Sequence, residues 1–143
     1  MSFDLKIVGG DIAIAPSGEV EIVFNNEKLK QDIVKILLTK SGDNKYHPAY
    51  GSDIGALQIG HVADAEVLEL DLQSSAEDAI RRLISLQRKQ SKRQFLSPAE
   101  VIVDIVDISV ARDVNDPRAW NIFISVLTQK LTTLTEAVQL RII

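Results

Sequence analysis

The sequence predicts an α+β fold: an N-terminal β-meander, helices that include one long one, and a C-terminal three-stranded antiparallel sheet. Three observations carry this. The first two dozen residues alternate apolar and polar; apolar residues recur at three- and four-residue steps from Asp64 to about Gln90; and alternation returns after Val101. Phe3, Leu5 and Ile7 share one face, and Ile12 and Ile14, then Val20, Ile22 and Phe24, repeat the pattern. Gly9-Gly10 and Pro16-Ser17-Gly18 supply the turns of a compact three-stranded meander over residues 1–24.

The helical part spans 26–97. Asn25 or Asn26 stands where a cap belongs, and the first helix should run to about Ser41 with Leu29, Ile33, Ile36 and Leu37 buried and Lys28, Asp32 and Lys35 opposite. Gly42 is placed for a helix C′ residue of positive φ, Pro48 forbids helix, and Ser52-Asp53 caps a short second helix to about Ile59, anchored by Ile54 and Leu57. Gly60 ends that helix and His61-Val62 is a joint. The loop holds both tyrosines of the chain, Tyr46 and Tyr50, so it should pack on something. In the long helix, Leu68, Leu72, Ala76, Ala79, Leu83 and Leu86 form the stripe, with acids at its start and bases at its end, as the helix dipole favours. Ser97-Pro98 closes the helical part.

Three strands complete the chain over 101–143. Val106, Ile108 and Val110 point one way; a polar loop from Asp113 to Arg118 leads to Trp120, Ile122, Ile124 and Val126; and Leu134, Val138, Leu140 and Ile142 repeat the alternation. The 143 residues, 45% of them hydrophobic, suit a single domain over 1–143 with its own core.

Composition narrows the function. A net charge of −4 disfavours a dedicated nucleic-acid binder, and the absence of cysteine excludes disulfides, thiolate metal sites and a cysteine nucleophile. The first residues lack the pattern of a signal peptide, and no apolar run approaches the roughly 18 residues of a membrane span, so a soluble protein is expected. His47 and His61 have no metal-site spacing, and Asp113-Val114-Asn115-Asp116 lacks the glycine and twelfth-position glutamate of a calcium loop. That stretch reads as a hairpin loop whose Asx side chains bond their own backbone. Glu19, Glu100 and Glu136 are isolated carboxylates with no sign of pairing for hydrolysis.

Two features point to macromolecular contacts. Arg81, Arg82, Arg88, Lys89, Lys92 and Arg93 form a basic run with no acid between Asp78 and Glu100; it is a solvated helix face, a site for an acidic protein partner or, less favoured because Phe95 is almost its only interleaved aromatic, a nucleic-acid contact. The last strand, Thr135 to Ile143, has no proline or lysine guarding it, and its edge is either covered within the fold or open to a strand from another chain.

The order of parts resembles the inner-wedge proteins of contractile-tail baseplates, the family of phage sheath initiators shared with type VI secretion baseplates. Leu38-Thr39, Lys40, Gly42, Pro48, Tyr50-Gly51-Ser52-Asp53-Ile54 and Ser97-Pro98-Ala99-Glu100 carry the resemblance. It covers most of the chain from Leu29 onward, and only the aromatic-glycine segment is moderately specific. The family's junction reads Glu-Pro-Arg; Pro98 matches it, while Ser97 and Ala99 depart, which puts ion-pair docking through this turn in question.

The resemblance implies a structural protein of the virion tail baseplate, assembled in the host cytoplasm, with no catalytic residue, metal or cofactor. Six copies would contact other baseplate wedge proteins, the tail sheath protein, and the tail tube or hub, but neither nucleic acid nor membrane. Gly42, Pro48, Tyr50, Gly51, Ser52, Asp53, Pro98 and Glu100 would form the wedge-contact loop and junction. Thr135, Ala137, Gln139 and Arg141 would form the edge that takes a sheath strand, and Arg88, Lys89, Lys92 and Arg93 the basic helix end. The alternatives are a free-standing protein-interaction module and a lysozyme-like glycan hydrolase.

Overall fold

Among the described residues, two helices cover one face of a three-stranded antiparallel sheet, and a small β module is bolted to the first helix. The computed structural model describes residues 2–54 and 64–141. The α+β class and the order of its parts agree with the sequence.

In the module, β1 (Asp4–Leu5) pairs with β4 (Ile22–Val23), β2 (Ile7–Val8) pairs with β3 (Asp11–Ile12), and a lone bridge joins Ile14 to Val20. The turns fall where the sequence puts them, with Gly9 and Gly10 at φ of 61° and 86°. The pairing differs from three runs lying side by side. Lys6 donates to Glu21 O (2.9 Å), Ala13 to Lys6 O (2.8 Å) and Glu21 to Ala13 O (3.0 Å), so each run changes partner after two residues and two hairpins branch from one stem. Alternation alone carries no record of a change of partner.

Helix α1 (Asn25–Leu38) buries Leu29, Ile33, Ile36 and Leu37 as the spacing predicts. Its boundaries are tighter than expected. Phe24 is the N-cap and Asn25 sits at φ 53°, and the helix stops three residues before Ser41, because Thr39 turns extended (φ −82°, ψ 125°) to let Lys40 form a parallel bridge with Ser52. Lys28 and Asp32, read as an exposed polar face, lie largely buried and paired at 2.6 Å. The short helix expected over 53–59, its anchor Leu57, Gly60 and the His61-Val62 joint lie almost wholly outside the described residues; Ile54 is fully buried.

Helix α2 (Ala65–Gln90) is one element of 26 residues, about 39 Å long at about 1.5 Å per residue. Leu68, Leu72, Ala76, Ala79 and Leu83 are buried, Leu86 half so, and Ile80 and Gln87 join them. It ends seven residues before Ser97, in a turn at residues 91–94, so Ser97-Pro98 opens the sheet rather than closing the helix. Gln87 makes that connection: its amide donates to Glu100 O at 2.7 Å and its carbonyl accepts from Ile102 N–H at 2.9 Å. No helix among the described residues is long and apolar enough to cross a membrane.

The sheet order is β5 (Ile102–Arg112), β6 (Ala119–Thr128), β7 (Thr133–Arg141). Trp120, Ile122, Ile124, Val126, Leu134, Val138 and Leu140 face the helices. Val106 does not. Two register shifts, between Ile102 and Asp104 and between Ile105 and Asp107, leave Val103 and Val106 as extra residues, both about half exposed, and Ile105 takes the inward place. The Asp113–Arg118 loop closes as predicted: Asp113 Oδ1 accepts from Asn115 (2.8 Å) and Asp116 (3.2 Å), and Asp116 Oδ1 from Arg118 (3.0 Å).

Candidate functional site

An open sheet has two edges, and here they are unlike. The β5 edge is kinked by its two bulges, carries exposed Asp104 and Asp107, and has Gln73 of α2 donating to Ile108 O at 3.0 Å. Bulges and charges are the usual means of blunting an edge. The β7 edge has no bulge, and its two charges are Glu136, which faces inward, and Arg141, which pairs with Asp116. Its nine residues pair with β6 without a register shift.

Hydrogen-bond parity then tells which β7 groups face outward. Thr128 N–H bonds Thr132 O at 3.0 Å, so in the ladder that follows the even-numbered residues of β7 bond to β6 and the odd-numbered ones turn away. Thr133, Thr135, Ala137, Gln139 and Arg141 therefore present their N–H and C=O groups at the edge, and none of these groups has a backbone partner among the described residues. The side chains of three of them are occupied on the solvent face. Thr135 shares a hydroxyl contact of 3.0 Å with Ser125, Gln139 donates to Asp113 Oδ2 at 3.1 Å, and Arg141 pairs with Asp116 at 3.1 Å. The strand is held straight while its outer backbone is free.

Beside this edge lies a groove of about 400 Å³ between α1, the β module and β7. Ile7, Val23 and Val34 supply apolar surface; Lys6, Glu27, Lys30, Lys35 and Glu136 supply charge. The module that forms its far wall is exposed over Phe3, Leu5, Ile7, Val8, Ile12, Ile14, Val20, Ile22 and Phe24, and buries Val23. Polar links hold it down. Gln31 accepts from Ile7 N–H (3.0 Å) and donates to Leu5 O (2.7 Å) and Asp4 (3.0 Å), and Lys35 bonds Asp4 and pairs with Asp32. Burial alone would raise the Asp4 carboxyl, but the bonds from Lys35 and Gln31 outweigh it and hold it below the ordinary value. Burial likewise opposes the charge on Lys35, yet Asp4 and Asp32 hold its ammonium above the ordinary value. Tyr50 is pushed up, chiefly by burial. This anchor was missed in the sequence, although Lys28, Asp32 and Lys35 carry the i, i+4 and i, i+3 spacing of paired charges.

The loop after α1 is ordered by Ser52, which is buried. Its N–H donates to Thr39 O (2.8 Å), its hydroxyl to Leu37 O (2.6 Å), and its carbonyl accepts from Ser41 N–H (2.9 Å). Ser52 thus satisfies Leu37 O in the last turn of α1 and Thr39 O at its C-cap, and its hydroxyl also accepts from Ile54 N–H at 3.4 Å, the cap the sequence suggested for the next helix. Gly51 (φ 114°) has no room for a side chain, since a Cβ there would stand 2.6 Å from Thr39 O. Gly42 (φ 90°) is not a helix C′ residue; it lies inside the tight turn closed by Asp43 N–H to Lys40 O at 3.2 Å. Pro48 lies in the turn closed by Tyr50 N–H to His47 O at 2.9 Å. Tyr50 packs against the core, while Tyr46 is 87% exposed. Arg82 clasps the loop, donating to Gly51 O at 3.1 Å and pairing with Asp53 at 3.7 Å.

The basic run divides accordingly. Arg81 pairs with Glu77 at 2.6 Å and Arg82 with the loop, whereas Arg88, Lys89, Lys92 and Arg93 are exposed and have no ion pair among the described residues. Lys89, Lys92 and Arg93 line a shallow cleft of about 640 Å³ with His47 and Leu86. At the junction, Pro98 is exposed and accepts from Lys130 N–H at 3.1 Å. Ser97 donates its hydroxyl to Asn25 at 2.7 Å, and buried Glu100 accepts from Ser97 N–H at 3.1 Å through one oxygen while the other has no partner. Glu19, Glu100 and Glu136 lie in three separate places: one cavity wall, the buried junction and the β7 groove.

No protein-family model and no curated protein matches the sequence. The fold is similar to the crystal structure of a "putative tail lysozyme" from Geobacter sulfurreducens, with a TM-score of 0.60 at 12% identity over 82% of this chain and 90% of that one. The shared property is the fold.

Proposed function

We propose that this chain is a structural component of a contractile tail baseplate, and that it initiates the sheath by accepting a strand of the sheath protein along β7. One observation carries the reading: of the two sheet edges, β5 is twice bulged and has its Ile108 carbonyl bonded by Gln73, while β7 is regular, with outward backbone groups at five successive odd positions. Strand addition needs this geometry and no catalytic side chain. The tail-associated name of the Geobacter sulfurreducens protein and the resemblance of the loop and junction support the same setting. In this reading the loop at Gly42–Asp53, the Pro98–Glu100 junction, the basic helix end and the exposed apolar β module face wedge proteins and the tube or hub, in six copies. A hydrolase would need paired carboxylates open to a glycan. Asp4 and Asp32 are instead tied to Lys35, and Glu100 is 1% exposed.

Deleting β7 would test nothing, because Leu134, Val138 and Leu140 belong to the core. Ala137→Pro is the cleaner change, since it removes one outward N–H. Co-assembled with its tail proteins and imaged, the native chain should give sheathed baseplates and Ala137→Pro sheathless ones. Equal sheath growth on both would refute the reading.

A further inference from the structure

Strand pairing alone accepts any extended chain, and the groove beside β7 carries the features of a filter. Along β7 the inward positions are Leu134, Glu136, Val138 and Leu140, so one carboxylate interrupts an apolar face at the middle of the strand. The other charges of the groove are matched: Lys6 with Glu21 at 2.8 Å, Lys30 with Glu27 at 3.7 Å, and Lys35 with Asp4 and Asp32. Glu136 has no ion pair among the described residues, and it is half-buried. Its own N–H and C=O point to β6, so toward an added antiparallel strand it occupies a non-hydrogen-bonded position, where Cα atoms approach to about 4.5 Å and facing side chains lie closest.

We propose that β7 selects its strand by charge: the incoming segment places apolar side chains over Ile7, Val23 and Val34 and a lysine or arginine against Glu136. This rests on the docking-edge reading above and adds the chemistry of the partner. A second copy of this chain fails the requirement. In any antiparallel pairing of two β7 strands, inward residues meet inward residues, and Glu136 would face Leu134, Glu136, Val138 or Leu140, never a cation. The same carboxylate that admits a cationic strand therefore excludes self-pairing.

The probes are two capped nine-residue peptides in which threonine and valine alternate, with the central valine replaced by lysine in one and by glutamate in the other. Binding to the full chain is read by fluorescence anisotropy. Opposite against like charge across a strand pair should favour the lysine peptide by about tenfold; Glu136→Lys should reverse the order, and Ala137→Pro should abolish binding of both. Equal affinity for the two peptides, with both lost in Ala137→Pro, would overturn the charge filter and leave the docking edge standing. Binding that survives Ala137→Pro, or no binding of either peptide, would overturn the docking edge and the filter with it. A native chain that dimerises in sedimentation while Glu136→Lys stays monomeric would also overturn the filter.

Discussion

Prolines placed at two adjacent positions of β7 separate an open edge from an ordinary core strand. The N–H of Ala137 points outward and bonds nothing within the described residues, whereas parity gives Val138 N–H to Ile122 in the ladder. Ala137→Pro therefore removes no internal hydrogen bond, and proline is tolerated where the N–H side of an edge strand faces solvent. Its cost to folding is the local change in φ, about 1 kcal/mol, taken as the order of one small rotameric or backbone strain. Val138→Pro loses a ladder bond of about 1 kcal/mol and leaves the Ile122 carbonyl unpaired beside a fully buried residue, adding about 1–3 kcal/mol. Lost packing of the half-removed Val138 side chain brings the total to about 4 kcal/mol. At about 3 °C per kcal/mol for a chain of this size, thermal unfolding should fall by about 3 °C for Ala137→Pro and by about 12 °C for Val138→Pro. If β7 takes a partner strand as proposed, that binding should fall chiefly in the mild variant, which removes a donor at the centre of the edge and leaves the incoming carbonyl unsatisfied, about 2 kcal/mol or thirtyfold. Equal destabilisation by the two prolines would refute the parity argument.

Further outcomes follow from the anchors. Gly51→Ala should destabilise by more than 2 kcal/mol, roughly, since it combines positive φ with a clash against backbone, while Gly42→Ala meets only open space and should cost about 1 kcal/mol; urea unfolding distinguishes them. Ser52→Ala strands the buried Leu37 carbonyl and should cost about 1–3 kcal/mol by the same measurement. The module should loosen at both extremes of pH. The lowered Asp4 contributes stability that is present above its ordinary value of 3.8 and lost as pH falls through the folded value below it. The raised Lys35 contributes stability that is present below 10.5 and lost as pH rises beyond it, so hydrogen exchange over residues 3–23 should accelerate below about pH 3.8 and above about pH 10.5 while the sheet stays protected. Glu136→Val should promote dimers in sedimentation by completing an apolar inward face.

The sequence made the elements legible because burial periodicity is local: the α2 stripe, the alternation of β6 and β7 and the Asx loop all appear at the residues read for them. What it concealed was decided by partners distant along the chain. Val106 keeps the two-residue spacing of Ile108 and Val110, and only its opposition to β6 shows that a bulge has turned it outward. Ser52 looks like a cap for the chain ahead and is one, its hydroxyl accepting from Ile54 N–H at 3.4 Å, but the same hydroxyl also donates to Leu37 O of the helix that ended fourteen residues earlier, a contact no local pattern records. The same rule governs the candidate site. The sequence singles out the last strand only by its lack of proline and lysine, which leaves open whether its edge is covered; the bulges of β5 and its bond from Gln73 show how the two edges differ. Glu136 is likewise unremarkable in the sequence, one acid in an alternating strand. It gains meaning from three facts of the fold: it faces inward, the lysines around it are already matched, and the backbone beside it is unpaired. An inward carboxylate with no ion pair among the described residues is a charge the groove leaves unmatched, and a cationic strand laid on β7 would match it.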